Sequence, residues 1–143
     1  MVRILSCAAA FAVTLFSVQV AGQASNNDPN GKHFYISQPS CDYYQCQVQK
    51  KVGDKLKINW LNPLSGSINI NFVPNGDGTS YRIASNLSAH YHNSTCSKGG
   101  QKTCGSYTWL IPSKVKAGEY SVEIHSLEKK SLYTYTDIVT ISK

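Results

Sequence analysis

The sequence predicts an all-β sandwich of about seven strands, and three observations carry that expectation. Apolar and polar residues alternate with period two in one run after another. Turns dense in Gly, Pro and Asn separate these runs at regular spacing. No segment shows the 3.6-residue period of an amphipathic helix.

The elements follow in order. HFYISQP is a short strand that ends at Pro39. KLKINW places Leu56, Ile58 and Trp60 on one face and Lys55, Lys57 and Asn59 on the wet one. After the turn NPLSG, Ile68, Ile70 and Phe72 point inward, with Asn69 and Asn71 outward. PNGDG separates this run from a fourth strand, YRIAS. A long polar loop, LSAHYHNSTCSKGGQKTC, precedes the fifth strand, SYTWLI. EYSVEIHS is the sixth and LYTYTDIVTIS the seventh. In the seventh, Tyr133, Tyr135, Val139 and Ile141 share one phase; Asp137 falls in the same phase, which predicts a bulge there.

The stretch GSYTWLIPSKVKAGEYSVEI decides between a sandwich and a small barrel. Pro112 lacks an N–H, so it ends strand pairing and lets the chain cross between sheets. Gly118 then opens a strand whose inward residues are Tyr120, Val122 and Ile124. A tyrosine just past a glycine turn resembles the tyrosine corner of Ig-like sandwiches, its hydroxyl reaching a backbone group upstream. The expected fold is therefore Ig-like or fibronectin-III-like; an ordinary β-turn is the plainer alternative for this stretch.

Residues 1–22 read as a secretory signal peptide: Arg3, an apolar run from Ile4 to Val20, then small residues, with cleavage after Gly22 or Ala24. Residues 23–33 form a polar leader, and residues 34–143 one domain. No second apolar segment or lipid-anchor signal follows, so the mature chain is expected to be free of the membrane. Without Arg3 the chain has 13 basic and 8 acidic residues, a formal charge of +5. The lysines are dispersed, which fits a solvated surface better than an acidic-ligand site. Cys7 lies in the signal peptide; Cys41, Cys46, Cys96 and Cys104 predict two disulfides in a secreted chain. Three pairings are open, and the local ones, Cys41–Cys46 and Cys96–Cys104, would each pin a loop. The sequons at Asn86 and Asn93 predict N-glycans on a surface segment.

Catalytic chemistry finds little footing. Glu119 and Glu123 lie four residues apart on one strand, about 13 Å. The carboxylate pair of a glycosidase is separated by about 5–9.5 Å. No nucleophile elbow is present, and an even cysteine count argues against a reactive thiol. His90-Tyr91-His92 would direct two imidazoles one way if extended, yet it offers no third ligand. Neither a metal nor another cofactor is expected, and a secreted chain without interleaved basic and aromatic residues is not expected to bind nucleic acid. Exposed aromatics are the stronger lead: Tyr43 and Tyr44 between two cysteines, and Tyr91 in the long loop, are candidate glycan or partner contacts.

The order V-G-D-x-L-x-I-x-W, I-A-x-N, Y-T-W-x-I-P, G-x-Y-x-V-x-I and T-D-I-V-T-I resembles the fungal Kre/Knh-like N-terminal domain of cell-wall synthesis proteins, over roughly Phe34 to Ser142. The resemblance implies an Ig-like fold with Trp60 and Trp109 in the core and Tyr120 at the corner. It lends no catalytic residue. It implies a secreted, non-catalytic role in β-glucan assembly or wall organisation, with wall polysaccharide or a wall protein as partner. The domain is expected to be a monomer. The alternative is an extracellular effector or interaction protein that recognises a host or partner protein.

Overall fold

A computed structural model describes residues 34–40, 47–93 and 104–143 of the chain. The expected signal peptide and polar leader, Cys41, Tyr43, Tyr44, Cys46 and Cys96 lie outside the described residues. Among the described residues the elements are β1 (Tyr35–Gln38), β2 (Val48–Lys51), β3 (Lys55–Leu61), β4 (Ser67–Pro74), β5 (Tyr81–Ser88), β6 (Cys104–Leu110), β7 (Gly118–Ser126), β8 (Tyr133–Tyr135) and β9 (Val139–Ser142). They form two sheets. The smaller is antiparallel, in the order β1-β3-β6. The larger runs β2-β9-β7-β4-β5, with β8 also paired to β7. All its pairings are antiparallel except β2 with β9, which is parallel.

The alternating runs form these strands because each buries one face. Leu56, Ile58 and Trp60 of β3 and Trp109 of β6 pack in one core with Ile68, Ile70 and Phe72 of β4 and with Tyr120, Val122 and Ile124 of β7. Full burial of one such side chain stabilises by about 1.5–3 kcal/mol, which is what sets the phase of each strand. Phe72 ties the two layers together: its ring stacks on Tyr120 at 4.5 Å and meets Trp109 edge-on at 5.2 Å.

The Gly105–Ile124 stretch crosses between sheets as expected. β6 ends at Leu110, Ile111 makes the last main-chain bonds to Gly53 and Asp54, and the chain re-enters in the large sheet at Gly118, with φ +154°. The Tyr120 hydroxyl donates to the Lys116 carbonyl at 3.0 Å, the reach a tyrosine corner makes. Tyr81 reinforces the same turn, donating to the Lys114 carbonyl at 3.2 Å. Val115 closes the turn from below as a buried side chain.

Among the described residues nine strands replace the expected seven, for two reasons. β2, VQKK, has one apolar residue and so gives no alternation to read; it is held by main-chain pairing to β9. The seventh run is two strands, β8 and β9, lying one after the other along the same edge of β7. Tyr135 faces Glu123 and Val139 faces Tyr120, so residues 136–138 stand opposite Ser121 and Val122. That extra residue is the irregularity expected at Asp137. Its effect on facing corrects the expected phase: a one-residue offset turns the preceding side chains to the other side of the sheet. Val139 and Ile141 are buried, while Tyr133 and Tyr135 are 49% and 36% exposed and Thr134 takes the inner position. Thr136 seals the offset, its N–H donating to the Val122 carbonyl and its Oγ1 accepting from the Val122 N–H, both at 2.9 Å.

Asn59 is a second correction. It lies on the outer face with Lys57, yet it is 4% exposed. Its Nδ2 donates to Gln38 Oε1 at 2.8 Å and its Oδ1 accepts from Ser106 Oγ at 2.7 Å. Paired on both sides, the amide carries no unsatisfied polar group into the interior.

Candidate functional site

The candidate site lies where the outer face of the small sheet meets the outer edge of β6. Its position traces back to Trp60. Gly105 stands directly opposite Trp60 in the register, and a Cβ there would run into the indole ring. The glycine lets the ring lie flat against β6, and its Nε1–H donates to the Ala89 carbonyl at 2.6 Å. Ala89 is itself buried, and its N–H donates to the Gly66 carbonyl at 2.9 Å. The start of the long loop is therefore fixed from inside the core.

From that anchor the chain turns tightly. The Tyr91 N–H donates to the Ser88 carbonyl at 3.0 Å, and the Tyr91 carbonyl accepts from the Ser106 N–H at 2.8 Å. The second bond covers part of the β6 edge. Tyr91 remains 37% exposed, with its ring 4.2 Å edge-on to His92 and 6.0 Å from Tyr107. Lys57, Tyr91, His92, Ser106, Tyr107 and Thr108 line an open cleft of about 490 Å³. The phenol rings, the Thr108 hydroxyl and the Lys57 ammonium at one edge can stack on an apolar ring face and hydrogen-bond to its polar rim.

Of the sequence candidates, Tyr91 is thus placed in a cleft with Tyr107, which the sequence marks only as part of the packing motif Y-T-W-x-I-P. Tyr43 and Tyr44 lie outside the described residues. Asn86 and Asn93 are exposed. Asn86 sits within β5 rather than in a loop, with φ +51°, a backbone state asparagine tolerates better than most residues. Its N–H donates to Asn69 Oδ1 at 3.0 Å. Cys104 opens β6, buried with Tyr35 and Leu61, its sulfur 2.8 Å from the Asn93 carbonyl oxygen. His90 and His92 fall in the turn, so they do not form an extended H-x-H pair. Among the described residues no group of three or more His, Cys, Asp or Glu side chains is placed to hold a metal ion. Glu119 and Glu123 share the outer face of β7, each in its own contacts: Glu119 accepts from the Gln47 and Asn75 amides, both at 3.2 Å, and Glu123 lies 2.9 Å from His125 Nε2. Among the described residues no helix is long and apolar enough to cross a membrane.

Tyr133 and Tyr135 are the exposed aromatics that reading the sequence misplaces. The signal that could have found them is Asp137, an acid in an apolar phase, once its consequence for the preceding residues is followed through.

No protein-family model and no curated protein matches the sequence. Among solved structures, a ceramidase complexed with C2 is similar over 66% of this chain at 12% identity, with a TM-score of 0.39. The chain spans 17% of the ceramidase chain, and at that TM-score the likeness carries no functional argument.

Proposed function

We propose that this is a secreted, non-catalytic domain of the fungal cell wall that binds wall polysaccharide, with β-glucan as the ligand class the Kre/Knh-like resemblance implies. The observation that carries this reading is Tyr91, an exposed ring held by main-chain bonds beside Tyr107, at a cleft that also offers Lys57 and Thr108. A pre-positioned aromatic loses little entropy when a sugar ring stacks on it, so it gives affinity without large area. The half-cystine character of Cys104 supports an oxidising compartment within this reading.

Depletion assays on insoluble β-glucan and chitin test the proposal. The secreted protein should leave the supernatant with at least one of them, and Tyr91→Ala should weaken retention about tenfold with an unchanged thermal midpoint. Full recovery in the unbound fraction for both polymers would sink it. Saturable binding to a partner protein, with none to polymer, would instead favour an extracellular effector.

A further inference from the structure

The outer face of the large sheet carries a second set of exposed rings, on the opposite side of the sandwich from the Tyr91 cleft. The offset at residues 136–138 turns Tyr133 and Tyr135 outward on β8. Their ring centroids are 6.4 Å apart with planes within 23°. His125 of β7 lies 5.5 Å from Tyr133 with planes within 14°. Three near-parallel rings thus form one exposed strip.

The register extends this strip across the sheet in two rows. Tyr133 faces His125, which faces Asn69 of β4; Tyr135 faces Glu123, which faces Asn71. Neighbouring strands are about 4.8 Å apart, so each row runs about 10 Å from a phenol ring to an amide. A polymer of sugar rings lying along a row would meet an aromatic surface first and a carboxamide next. Carboxamides both donate and accept hydrogen bonds, as sugar hydroxyls require.

Charge selects the kind of partner. The chain has a formal net charge of +6, and its basic side chains stand off the three rings: Lys55 and Lys57 on the outer face of the small sheet, Lys114, Lys116, Lys129 and Lys130 in turns, Lys50 and Lys51 on β2, and Arg82 on β5, where it faces Asn71 at the far end of the Tyr135 row. On this strip the Glu123 carboxylate is held by His125 at 2.9 Å. The strip therefore offers rings and amides with its one acid already paired. That matches an uncharged polymer lying over the rings, with Arg82 beyond Asn71 at the end of one row.

We infer that the Tyr133–Tyr135–His125 strip, with Asn69 and Asn71, is a second polysaccharide site that takes an uncharged glycan chain. Together with the Tyr91 cleft it makes the domain bivalent. The bivalent part rests on the function proposed above; the strip itself does not. Sites on opposite faces cannot engage one straight chain together, so the domain joins two chains.

Depletion isotherms on insoluble β-glucan, and turbidity on soluble β-glucan, test this with the secreted, glycosylated protein. The pair Tyr133→Ser, Tyr135→Ser should weaken binding about tenfold and abolish turbidity, at an unchanged thermal midpoint. The pair Tyr133→Phe, Tyr135→Phe keeps the rings and should restore both, which also separates lost stacking from lost folding. Wild-type binding that the serine pair leaves unchanged overturns the strip and leaves the Tyr91 proposal standing. A wild type that binds no uncharged polysaccharide overturns both. Binding gained only on Asn86→Gln also overturns the inference, because the protein's own glycan, attached beside Asn69, would then be what covers the strip.

Discussion

Tyr120 shows how a single residue links sequence to fold. Its ring stacks on Phe72, and its hydroxyl holds the Lys116 carbonyl in the turn that joins the two sheets. Burial raises its hydroxyl pKa above the ordinary tyrosine value, with the neighbouring Tyr81 adding to the effect. The unfolded chain then gives up this proton more readily than the native one. The stabilisation from keeping the proton is complete below about pH 10 and is lost as pH rises through the native pKa. Tyr120→Phe should cost about 1 kcal/mol at neutral pH, because the Lys116 carbonyl loses its partner. It should also flatten the alkaline fall in stability. Urea midpoints for wild type and variant at pH 7 and across the alkaline range check both effects; parallel curves above pH 10 would remove Tyr120 as the source. The tyrosine and its glycine are legible in the sequence because a corner is a local pattern. Asn59 is not: it reads as a wet-face residue, and its partners Gln38 and Ser106 come from strands 21 and 47 residues away.

At the level of the element, β3, β4 and β7 are legible because strict alternation and burial say the same thing. β2 is not, since an edge strand with one apolar residue depends on β9 for its existence. The seventh run falls between these cases. Its residues are strand-like throughout, but their facing depends on how many of them sit opposite Ser121 and Val122. One extra residue there decides whether Tyr133 and Tyr135 fill the core or meet solvent. Deleting Asp137 should restore an uninterrupted register along β7. Two phenol rings would then be driven against a filled core, at a cost of about 1–3 kcal/mol. The expected outcome is a lower urea midpoint at constant slope, with Tyr133 and Tyr135 less reactive to a soluble tyrosine-modifying reagent. An unchanged midpoint with both tyrosines still reactive would show that the offset does not set their facing.

For the whole molecule, the two sheets divide the chemistry as well as the core. Trp60, Ile70 and Ile124 fill the layer between them, while the outer faces differ. The small sheet presents Lys55 and Lys57 beside the Tyr91 cleft; the large sheet presents rings and amides with Glu123 paired, and its exposed cations, Lys51 and Arg82, lie on the edge strands β2 and β5. A net charge of +6 could recruit polyanions over any of the lysine-bearing surfaces, and that attraction would be electrostatic. Stacking on an uncharged glycan is not. At 1 M salt the screening length falls to about 3 Å, so exposed lysines act on a ligand only in direct contact. Retention on insoluble β-glucan should therefore be the same at low and high salt, while any retention on an immobilised polyanion such as heparin should disappear. Glucan binding that collapses with salt would move the function to the lysines and away from Tyr91, Tyr133 and Tyr135. Salt-independent binding that is lost with the rings would place it on two aromatic sites held apart by one sandwich, one fixed by the Trp60 anchor and the other by a single extra residue between β8 and β9.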